Sequence, residues 1–444
     1  MRALVARTER GIVSRSSVGI GLLGMGVVGG GVVAALQQKR DQLIELIGCP
    51  AELRGVLVRD TARPRAHEIS PGLLTTSVED ILGNPDVDIV VEVMGGQEPA
   101  LDYILKGISL GRHIVTANKE VMARHGPDIL STARKKGVQV LFEASVAGGT
   151  PIIAPLLRDL VANEIIAIHG IINGTTNYIL TRMANEGAGF EDTLAEAQDL
   201  GYAEADPTND VEGVDAAYKL AILATLAFRA RVKYTDVFRE GITRITARDF
   251  LYAQELGYAI KLLAIADSRD GGVQVRVHPA MIPGEMMIAK GDGVLNAVEI
   301  QADLAGKLLF HGAGAGEMPT ASAVVADIVD ISRNLTGNVV PPAPPVLSEG
   351  IRIRPMSELE TRYYLRLSVT DRPGVLAQIG RVLGELDISI ASAIQKETDE
   401  VAQSAEFVLM THRASEAAMQ TAMKRLLKLD VVSDIGNILR VEEW

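Results

Sequence analysis

Val18-Gly19-Ile20-Gly21-Leu22-Leu23-Gly24-Met25-Gly26-Val27-Val28-Gly29 decides the fold of the first part of the chain. An apolar, strand-like run ends in a glycine turn, and an apolar, helix-like segment follows it. Gly24 permits the tight turn, Gly26 lets backbone N–H groups approach a pyrophosphate, and Gly29 lets the helix pack on the strand. The helix N-terminus adds a partial positive charge that favours phosphate. The stretch predicts a dinucleotide site formed by Gly24, Met25, Gly26, Val27, Val28 and Gly29, with a strand–helix corner that binds no ligand as the alternative.

The pattern after this stretch alternates between strand and helix as far as Phe142. Continuous apolar runs, typical of a parallel sheet covered on both faces, occur at Leu53–Val58, Val87–Met94, His113–Thr116 and Val138–Phe142. We therefore expect an α/β chain whose Rossmann-type parallel-sheet domain spans 18–148 and is completed by about 312–338. Residues 149–311 mix strands, such as Val273–Val277, with helices, such as Val214–Phe228, and predict an α+β domain.

The clearest boundary in the sequence is Pro341-Pro342-Ala343-Pro344-Pro345. Proline cannot continue a helix or a central strand, so we expect a linker over 339–360. Residues 361–444 then follow the order β-α-β-β-α-β, which predicts an independent small domain of ferredoxin-like order. Residues 1–17 contain arginines but lack the apolar core of a signal peptide, and are expected to form a flexible extension.

Composition excludes several classes of function. The net charge of the 444 residues is −12, which argues against a nucleic-acid partner. No apolar run approaches the ~20 residues that cross a bilayer, so no membrane partner is expected. A single cysteine, Cys49, excludes an internal disulfide framework and a four-cysteine zinc site. A cytoplasmic location is the default expectation.

Blocks further along the chain carry a more specific signal. They are Thr116-Ala117-Asn118-Lys119, Phe142-Glu143-Ala144-Ser145-Val146-Ala147-Gly148-Gly149-Thr150-Pro151, Asn173-Gly174-Thr175-Thr176-Asn177-Tyr178-Ile179-Leu180 and Gly201-Tyr202-Ala203-Glu204-Ala205-Asp206-Pro207. With the glycine turn, they resemble homoserine dehydrogenase from Val18 onward. The last part resembles an ACT domain, through Asp371-Arg372-Pro373-Gly374-Val375-Leu376-Ala377. The resemblance implies a Rossmann domain, a catalytic and dimerisation domain and an ACT regulatory domain, and reversible NAD(P)-linked interconversion of L-homoserine and L-aspartate 4-semialdehyde.

Two lysines are candidates for the proton transfer that this reaction needs. Lys219 lies four residues after Asp215 on one helix face, in a run that is apolar nearly all round. Such a helix is buried, and a buried charge needs a partner or a task, so catalysis is favoured over a surface ion pair. Lys119 follows the carboxyl end of a strand, where α/β sheets bind ligands, and a solvated loop lysine is its alternative. The catalytic candidates are therefore Lys219, Lys119 and Asp215, and the choice between the lysines stays open.

The resemblance also implies residues that hold substrate and cofactor. Glu204 would bind the substrate ammonium, while Asp210 and Asp215 would orient it or Lys219; the full substrate set is Glu204, Asp210, Thr176 and Tyr202. Asp206 is expected only to cap a turn. Arg59 is followed by Asp60, a combination that suits either NADP or NAD, and the family pattern favours NADP. Thr116, Lys119 and Gly316 complete the expected cofactor contacts.

The same resemblance implies two further ligands and an assembly. A monovalent cation, expected to be sodium, would be bound by Glu143, Val146, Gly148 and Thr150, largely through backbone carbonyls. Threonine is the expected effector of the ACT domain, with contacts at Asp371, Gly374, Val375 and Gln395. A homodimer or a homotetramer is expected.

Two other interpretations are weighed against this one. A non-catalytic sensor, with a degenerate nucleotide fold joined to an ACT-like domain, is disfavoured by the intact lysines and carboxylates. Aspartate-semialdehyde dehydrogenase chemistry requires a cysteine thiolate. Because Cys49 falls in the nucleotide domain, far in sequence from the catalytic blocks, that interpretation fails.

Overall fold

The computed structural model describes residues 15–269, 271–337, 339, 346–399 and 404–444, with backbone only at 396–399. The expected proline spacer at 341–345 and most of the expected extension at 1–17 lie outside these residues. Within the described chain, no helix has both the length and the apolar character needed to cross a membrane.

The elements of the first part, in chain order, are β1 (Val18–Leu23), α1 (Val27–Gln38), α2 (Arg40–Ile47), β2 (Ala51–Leu57), β3 (Leu74–Thr75), α3 (Glu79–Leu82), β4 (Ile89–Glu92), α4 (Ala100–Ser109), β5 (His113–Thr116), α5 (Lys119–Lys136) and β6 (Val140–Leu141). The middle of the chain contains β7 (Ile165–Ile171), α6 (Gly174–Glu186), α7 (Phe190–Asp199), α8 (Thr208–Val211), α9 (Val214–Ala227), β8 (Phe238–Arg239), α10 (Ala247–Glu255), β9 (Tyr258–Asp267), β10 (Gln274–Pro283), β11 (Leu295–Ala302), β12 (Gly306–Ala313) and α11 (Glu317–Thr336). The last part contains β13 (Glu360–Thr370), α12 (Val375–Gly384), β14 (Ile390–Asp399), β15 (Ser404–Thr411), β16 (Ala414–Ser415), α13 (Glu416–Leu426) and β17 (Val432–Val441).

The first compact unit comprises the described residues up to Ile153 and those from Ala315 to Val346. Its strands pair in parallel in the order β3-β2-β1-β4-β5-β6, which is the Rossmann order and confirms the predicted α/β class. The order reverses between β1 and β4, and ligands bind at the carboxyl ends of strands at such a point. The glycine turn lies there, directly after β1.

Helix α11 packs against α1 although nearly three hundred residues separate them in the sequence. Gly31 on α1 makes this approach possible, because a Cβ there would lie 2.8 Å from the Glu317 backbone oxygen. Val32, Val33, Val324 and Ile328 are fully buried in the shared core. The return of the chain thus covers one face of the parallel sheet.

The second compact unit comprises Ala154–Gly314 and the described residues from Leu347 onward. Its strands form one sheet in the order β12-β11-β7-β9-β10-β17-β13-β15-β14. The expected strand at Val273–Val277 is too short, since β10 continues to Pro283 and pairs antiparallel with all of β9. Lys261 and Arg276 interrupt the apolar pattern of these strands, and both are buried with acidic partners. Tertiary ion pairs therefore accommodate a charged side chain inside each of these two strands.

The strands of the last part of the chain extend this same sheet. β17 pairs in parallel with β10 at Ala280–Arg440 and Met281–Val441. β17, β13, β15 and β14 follow one another in the sheet, the order of a ferredoxin-like fold, with α12 and α13 packed together. Trp444, beyond β17, stacks on His169 of β7 with ring centroids 3.7 Å apart.

Buried ion pairs join the two parts of this sheet. Arg276 of β10 donates to both carboxylate oxygens of Glu442, at 2.9 and 3.1 Å. Arg366 of β13 donates through Nε to Oδ1 of Asp249, on α10, at 2.8 Å. Removing one partner of such a pair leaves a buried charge uncompensated, which is strongly destabilising.

Candidate active site

The side chain of Lys219 is buried between two oxygen acceptors. Its Nζ lies 2.7 Å from Asp215 Oδ2 and 2.8 Å from the backbone oxygen of Ile172. The side chains of Lys219 and Asp215 are only 12% and 4% exposed, so a solvated surface pair does not describe them. Helix α9 is buried along most of its length, which forces the ammonium toward these oxygens.

Asn173 connects this pair to the start of α6, and sequence analysis missed it. Its Nδ2 donates to Asp210 Oδ1 at 2.7 Å and to Asp215 Oδ2 at 2.9 Å. Its Oδ1 accepts the N–H and the hydroxyl of Thr176, each at 2.9 Å, and so caps the helix. The signal was available, because an asparagine directly before a helix start is a capping residue; the second role of its amide could come only from the fold.

Two other predicted substrate residues, Tyr202 and Glu204, lie in the loop between α7 and α8. The Tyr202 carbonyl accepts the Thr175 hydroxyl at 2.6 Å, and its ring packs on that of Tyr178 at 5.0 Å. Glu204 is exposed, and its backbone carbonyl accepts from Gln198 at 3.0 Å. Asp206 caps a turn by accepting from the backbone and hydroxyl of Thr208, which confirms the expectation for that residue.

The glycine turn of the first unit has the shape that a pyrophosphate requires. Gly24 has φ of +103°, a left-handed value that favours glycine. A Cβ at Gly29 would lie 2.2 Å from the Gly24 backbone oxygen, so strand and helix approach closely only without a side chain. A Cβ at Gly26, the N-cap of α1, would meet no atom within 4 Å, so the turn opens on space beside the helix N-terminus. These residues fit a dinucleotide.

Glu92 is a fully buried carboxylate at the carboxyl end of β4, and sequence analysis missed it as well. Its Oε2 accepts the Thr116 hydroxyl at 2.6 Å, and its Oε1 accepts the Met94 N–H at 2.8 Å. Thr116, a predicted cofactor residue, is thereby fixed at the end of β5. A charged residue that ends an otherwise apolar strand was the available signal.

Lys119 is the half-buried first residue of α5. Asn118 caps this helix by accepting the Val121 N–H at 3.1 Å, and its amide donates to the Gly96 backbone oxygen at 2.7 Å.

Arg59 follows β2 and is exposed, while the neighbouring Asp60 accepts the Ala62 N–H at 2.8 Å. Gly316 has φ of +118° and precedes α11.

The segment predicted to bind a cation is buried. Glu143 Oε1 accepts the N–H groups of Ile152 and Ile153 at 2.6 and 2.9 Å, and the Glu143 N–H donates to Asp327 Oδ2 at 2.9 Å. Burial raises the pKa of Asp327 well above its usual range, and the neighbouring Glu143 charge adds to the rise. In the described chain, no group of three or more His, Cys, Asp or Glu residues is arranged to hold a metal ion. The remaining predicted cation positions are Val146, Gly148 and Thr150; all three are buried, and Gly148 has φ of +50°.

One hydrogen bond connects the predicted effector positions of β14 and of the loop before α12. Gln395 Nε2, in the middle of β14, donates to Asp371 Oδ1 at 3.1 Å. Gly374 has φ of +89° and is the N-cap of α12, and Val375, its first residue, is buried. Asp371 and Gln395 are both exposed.

Comparisons with known proteins show what this chain is similar to. Family models match residues 24–143 as the homoserine dehydrogenase NAD-binding domain, residues 151–329 as homoserine dehydrogenase and residues 363–431 as an ACT domain. The chain belongs to the homoserine dehydrogenase family. It is an NAD(P)-dependent oxidoreductase with the homoserine dehydrogenase activity of that family, and the predicted family and fold class are confirmed.

Relatives span nearly the whole chain. A homoserine dehydrogenase of Synechocystis is 46% identical over 96% of this chain and 99% of its own length. A crystal structure of a homoserine dehydrogenase from Thiobacillus denitrificans has a TM-score of 0.91 at 43% identity, covering 96% of this chain and 98% of its own. A hyperthermophilic archaeal homoserine dehydrogenase in complex with NADPH has a TM-score of 0.60 at 25% identity, covering 71% of this chain and 98% of its own.

The Asn173 bridge generates a first prediction. Asn173→Ser keeps a capping oxygen but removes the amide that donates to two carboxylates. Leaving buried acceptors unpaired costs about 1–3 kcal/mol, so we expect kcat/KM for homoserine to fall by about 5- to 150-fold and the melting temperature to fall by a few degrees. Asn334→Ala, which removes an amide contact in the other unit, is the control. Equal steady-state kinetics of Asn173→Ser and the unsubstituted enzyme would contradict this role.

Proposed function

We propose that Lys219 transfers the proton in the interconversion of homoserine and aspartate 4-semialdehyde. The observation that carries this proposal is the pairing of its ammonium with the Asp215 carboxylate and the Ile172 carbonyl, on a side chain that is only 12% exposed. Bound NAD(P) supplies the hydride acceptor or donor. In the oxidation, the neutral Lys219 amine takes the proton of the homoserine hydroxyl; in the reduction, its ammonium returns that proton to the oxygen of the former aldehyde.

The surrounding carboxylates hold the amino acid. We propose that Glu204 binds the substrate ammonium, with Asp210, Thr176 and Tyr202 completing the substrate contacts. Asp210 and Asp215 share the Asn173 amide, so a ligand bound to one carboxylate also bears on the orientation of Lys219. Lys119 is proposed to contact the cofactor from the first turn of α5, at the ligand-binding edge of its sheet.

A pair of lysine substitutions tests the assignment of the proton-transfer group. Lys219→Met should lower kcat by about 10²- to 10⁴-fold, the range for loss of a general acid or base, while NADPH binding measured by fluorescence titration is retained. Lys119→Met should weaken cofactor binding as well as catalysis. Lys233→Met, a lysine in the loop after α9, is the control. A near-normal kcat of Lys219→Met would show that another group transfers the proton.

NADP is the cofactor that we propose, with NAD as the alternative. The Asp60 carboxylate accepts a hydrogen bond from the Ala62 N–H in a local turn. Arg59 is exposed at the end of β2, where the adenosine ribose would lie. The complex of the archaeal relative with NADPH supports the same preference.

Arg59 therefore gives a test of cofactor preference. A hydrogen bond to a charged group contributes about 1.5–3 kcal/mol, so Arg59→Ala should lower kcat/KM with NADP by about 10- to 150-fold. The value with NAD should change by less than about twofold, because NAD lacks the 2′-phosphate. Arg40→Ala, on the surface helix α2, controls for loss of general positive charge. An equal loss with both cofactors would refute the preference.

We propose that a sodium ion is bound at Glu143, Val146, Gly148 and Thr150. Oxygen ligands suit a hard cation, and this segment supplies a buried carboxylate and buried backbone carbonyls. The ion would be structural, since no step of the proposed proton transfer involves it.

A homodimer or homotetramer is the proposed assembly, on the expectation that family members pair through the catalytic domain and ACT domains pair with one another.

Threonine is the effector that we propose for the ACT domain. The exposed Asp371–Gln395 pair offers a carboxylate and an amide beside the left-handed turn at Gly374, groups that can bind the ammonium, carboxylate and hydroxyl of a small amino acid. Deleting the ACT segment would not test this cleanly, because Glu442 and Arg366 hold buried charges of β10 and α10.

Point substitutions in the effector loop are the sharper experiment. Asp371→Ala and Gln395→Ala should raise the threonine concentration for half-inhibition by about 10-fold or more, the effect of losing a charge-assisted hydrogen bond. Activity without threonine should stay unchanged. Asp434→Ala, on an exposed position of β17, is the control. Unaltered inhibition in both variants would place the effector elsewhere, and an uninhibited parent enzyme would exclude threonine.

A further inference from the structure

Lys261 is a buried lysine that the proposed mechanism does not use. It lies on β9, in the middle of the sheet of the second unit, and is 4% exposed. Its Nζ contacts the backbone oxygen of Gly291 at 2.9 Å, Asp292 Oδ1 at 2.9 Å and Asn177 Oδ1 at 3.2 Å. Desolvation lowers the pKa of Lys261, and the Asp292 carboxylate opposes that shift.

The acceptors belong to two segments that Lys261 brings together. One is α6, which carries Asn177; the other is the 291–295 segment, the turn between Gly291 and Leu295. Asn177 Nδ2 donates to the backbone oxygens of Gly291 and Leu295, at 2.9 and 3.1 Å. A Cβ at Gly174 would lie 2.9 Å from the Val294 oxygen, so the segment lies directly on the first turn of α6.

That first turn is the part of α6 that reaches the Lys219 group. The Asn177 N–H donates to the Asn173 backbone oxygen at 3.2 Å, so the two residues are one helical turn apart. Asn173 bridges Asp210 and Asp215, and the adjacent Ile172 carbonyl accepts from Lys219. Lys219 thus contacts the chain just before this turn, through the Ile172 carbonyl, and Lys261 contacts the Asn177 side chain within it.

We propose that Lys261 is a positioning residue for homoserine oxidation, whose ammonium clamps the 291–295 segment to α6 and fixes Asn173 and Ile172 against Lys219. The proposal rests on the role of Lys219 given above. Removing this cation costs less global stability than breaking a fully buried pair, because the Asp292 side chain is 61% exposed and water can solvate its carboxylate. The position of the 291–295 segment on α6 does depend on the cation. An apolar side chain would leave the Gly291, Asp292 and Asn177 oxygens without the donor that they share.

Lys261→Met tests this clamp, because it keeps the length of the side chain and removes its charge. An ångström of misplacement in a catalytic group can cost about 10²-fold, so kcat/KM for homoserine should fall by about 10- to 100-fold. KM for the nicotinamide cofactor should change by less than about twofold, since the glycine turn belongs to the other unit. Lys307→Met, in β12 of the same sheet, is the matched control; its ammonium contacts the Trp444 carbonyl.

A double-mutant cycle separates positioning from structural support. If Lys261 acts through Asn173, the loss caused by Lys261→Met should shrink to about threefold or less when Asn173→Ser is already present. Fully additive losses, or a lower melting temperature with unchanged kcat/KM per folded enzyme, would overturn the proposal. Asn177→Ser, which removes one acceptor and leaves the cation paired with Asp292, should show the same coupling if Lys261→Met fails to fold.

The two proposals can fail separately. If Lys219 is not the proton-transfer group, Lys219→Met retains near-normal kcat, whatever Lys261→Met does. If Lys261 is not a positioning residue, Lys261→Met retains the homoserine kcat/KM while Lys219→Met still loses activity.

Discussion

The buried ammonium of Lys219 constrains much of the second unit. A lysine on a helix that is apolar nearly all round must be paired, since an isolated charge in the protein interior costs several kcal/mol. Here the partners come from two places: Asp215 one turn earlier on α9, and the Ile172 carbonyl where β7 ends. Because Asn173 then joins Asp215 to Asp210 and caps α6, one electrostatic requirement fixes the relative positions of a strand end and three helices.

Similar requirements explain how the ACT part is held. Arg276, Arg366 and Arg440 are buried with carboxylates that come from other elements, including Glu442, Asp249 and Glu240. The direct strand pairing between β10 and β17 covers only two residue pairs, so these ion pairs supply much of the connection. Buried ion pairs add little net stability but penalise any arrangement that separates them. They therefore define how the ACT strands are placed on the sheet of the second unit.

Sequence reasoning succeeded where the signal is local. The glycine turn, the i, i+4 spacing of Asp215 and Lys219, and the β-α-β-β-α-β order could all be recognised from neighbouring residues. It failed where the partner is distant in the chain. Most of β9 to β12 was not predicted; in β9, Lys261 interrupts the apolar run and finds its acidic partner, Asp292, only in the folded sheet. Glu92, Asn173 and Lys261 were missed for the same reason, although each is polar and buried.

The sequence by itself determined the family and the parallel nucleotide-binding sheet and supplied the candidates for the chemistry, because these depend on backbone freedom at glycines, on helix periodicity and on motifs contiguous in the chain. Only the tertiary structure decided that Asn173 serves as both helix cap and carboxylate bridge, that Lys261 lies beneath the same helix, and that the ACT strands continue the catalytic sheet. These are contacts between residues tens to hundreds of positions apart, and they arise because buried charges and amides must find partners wherever the packed fold supplies them.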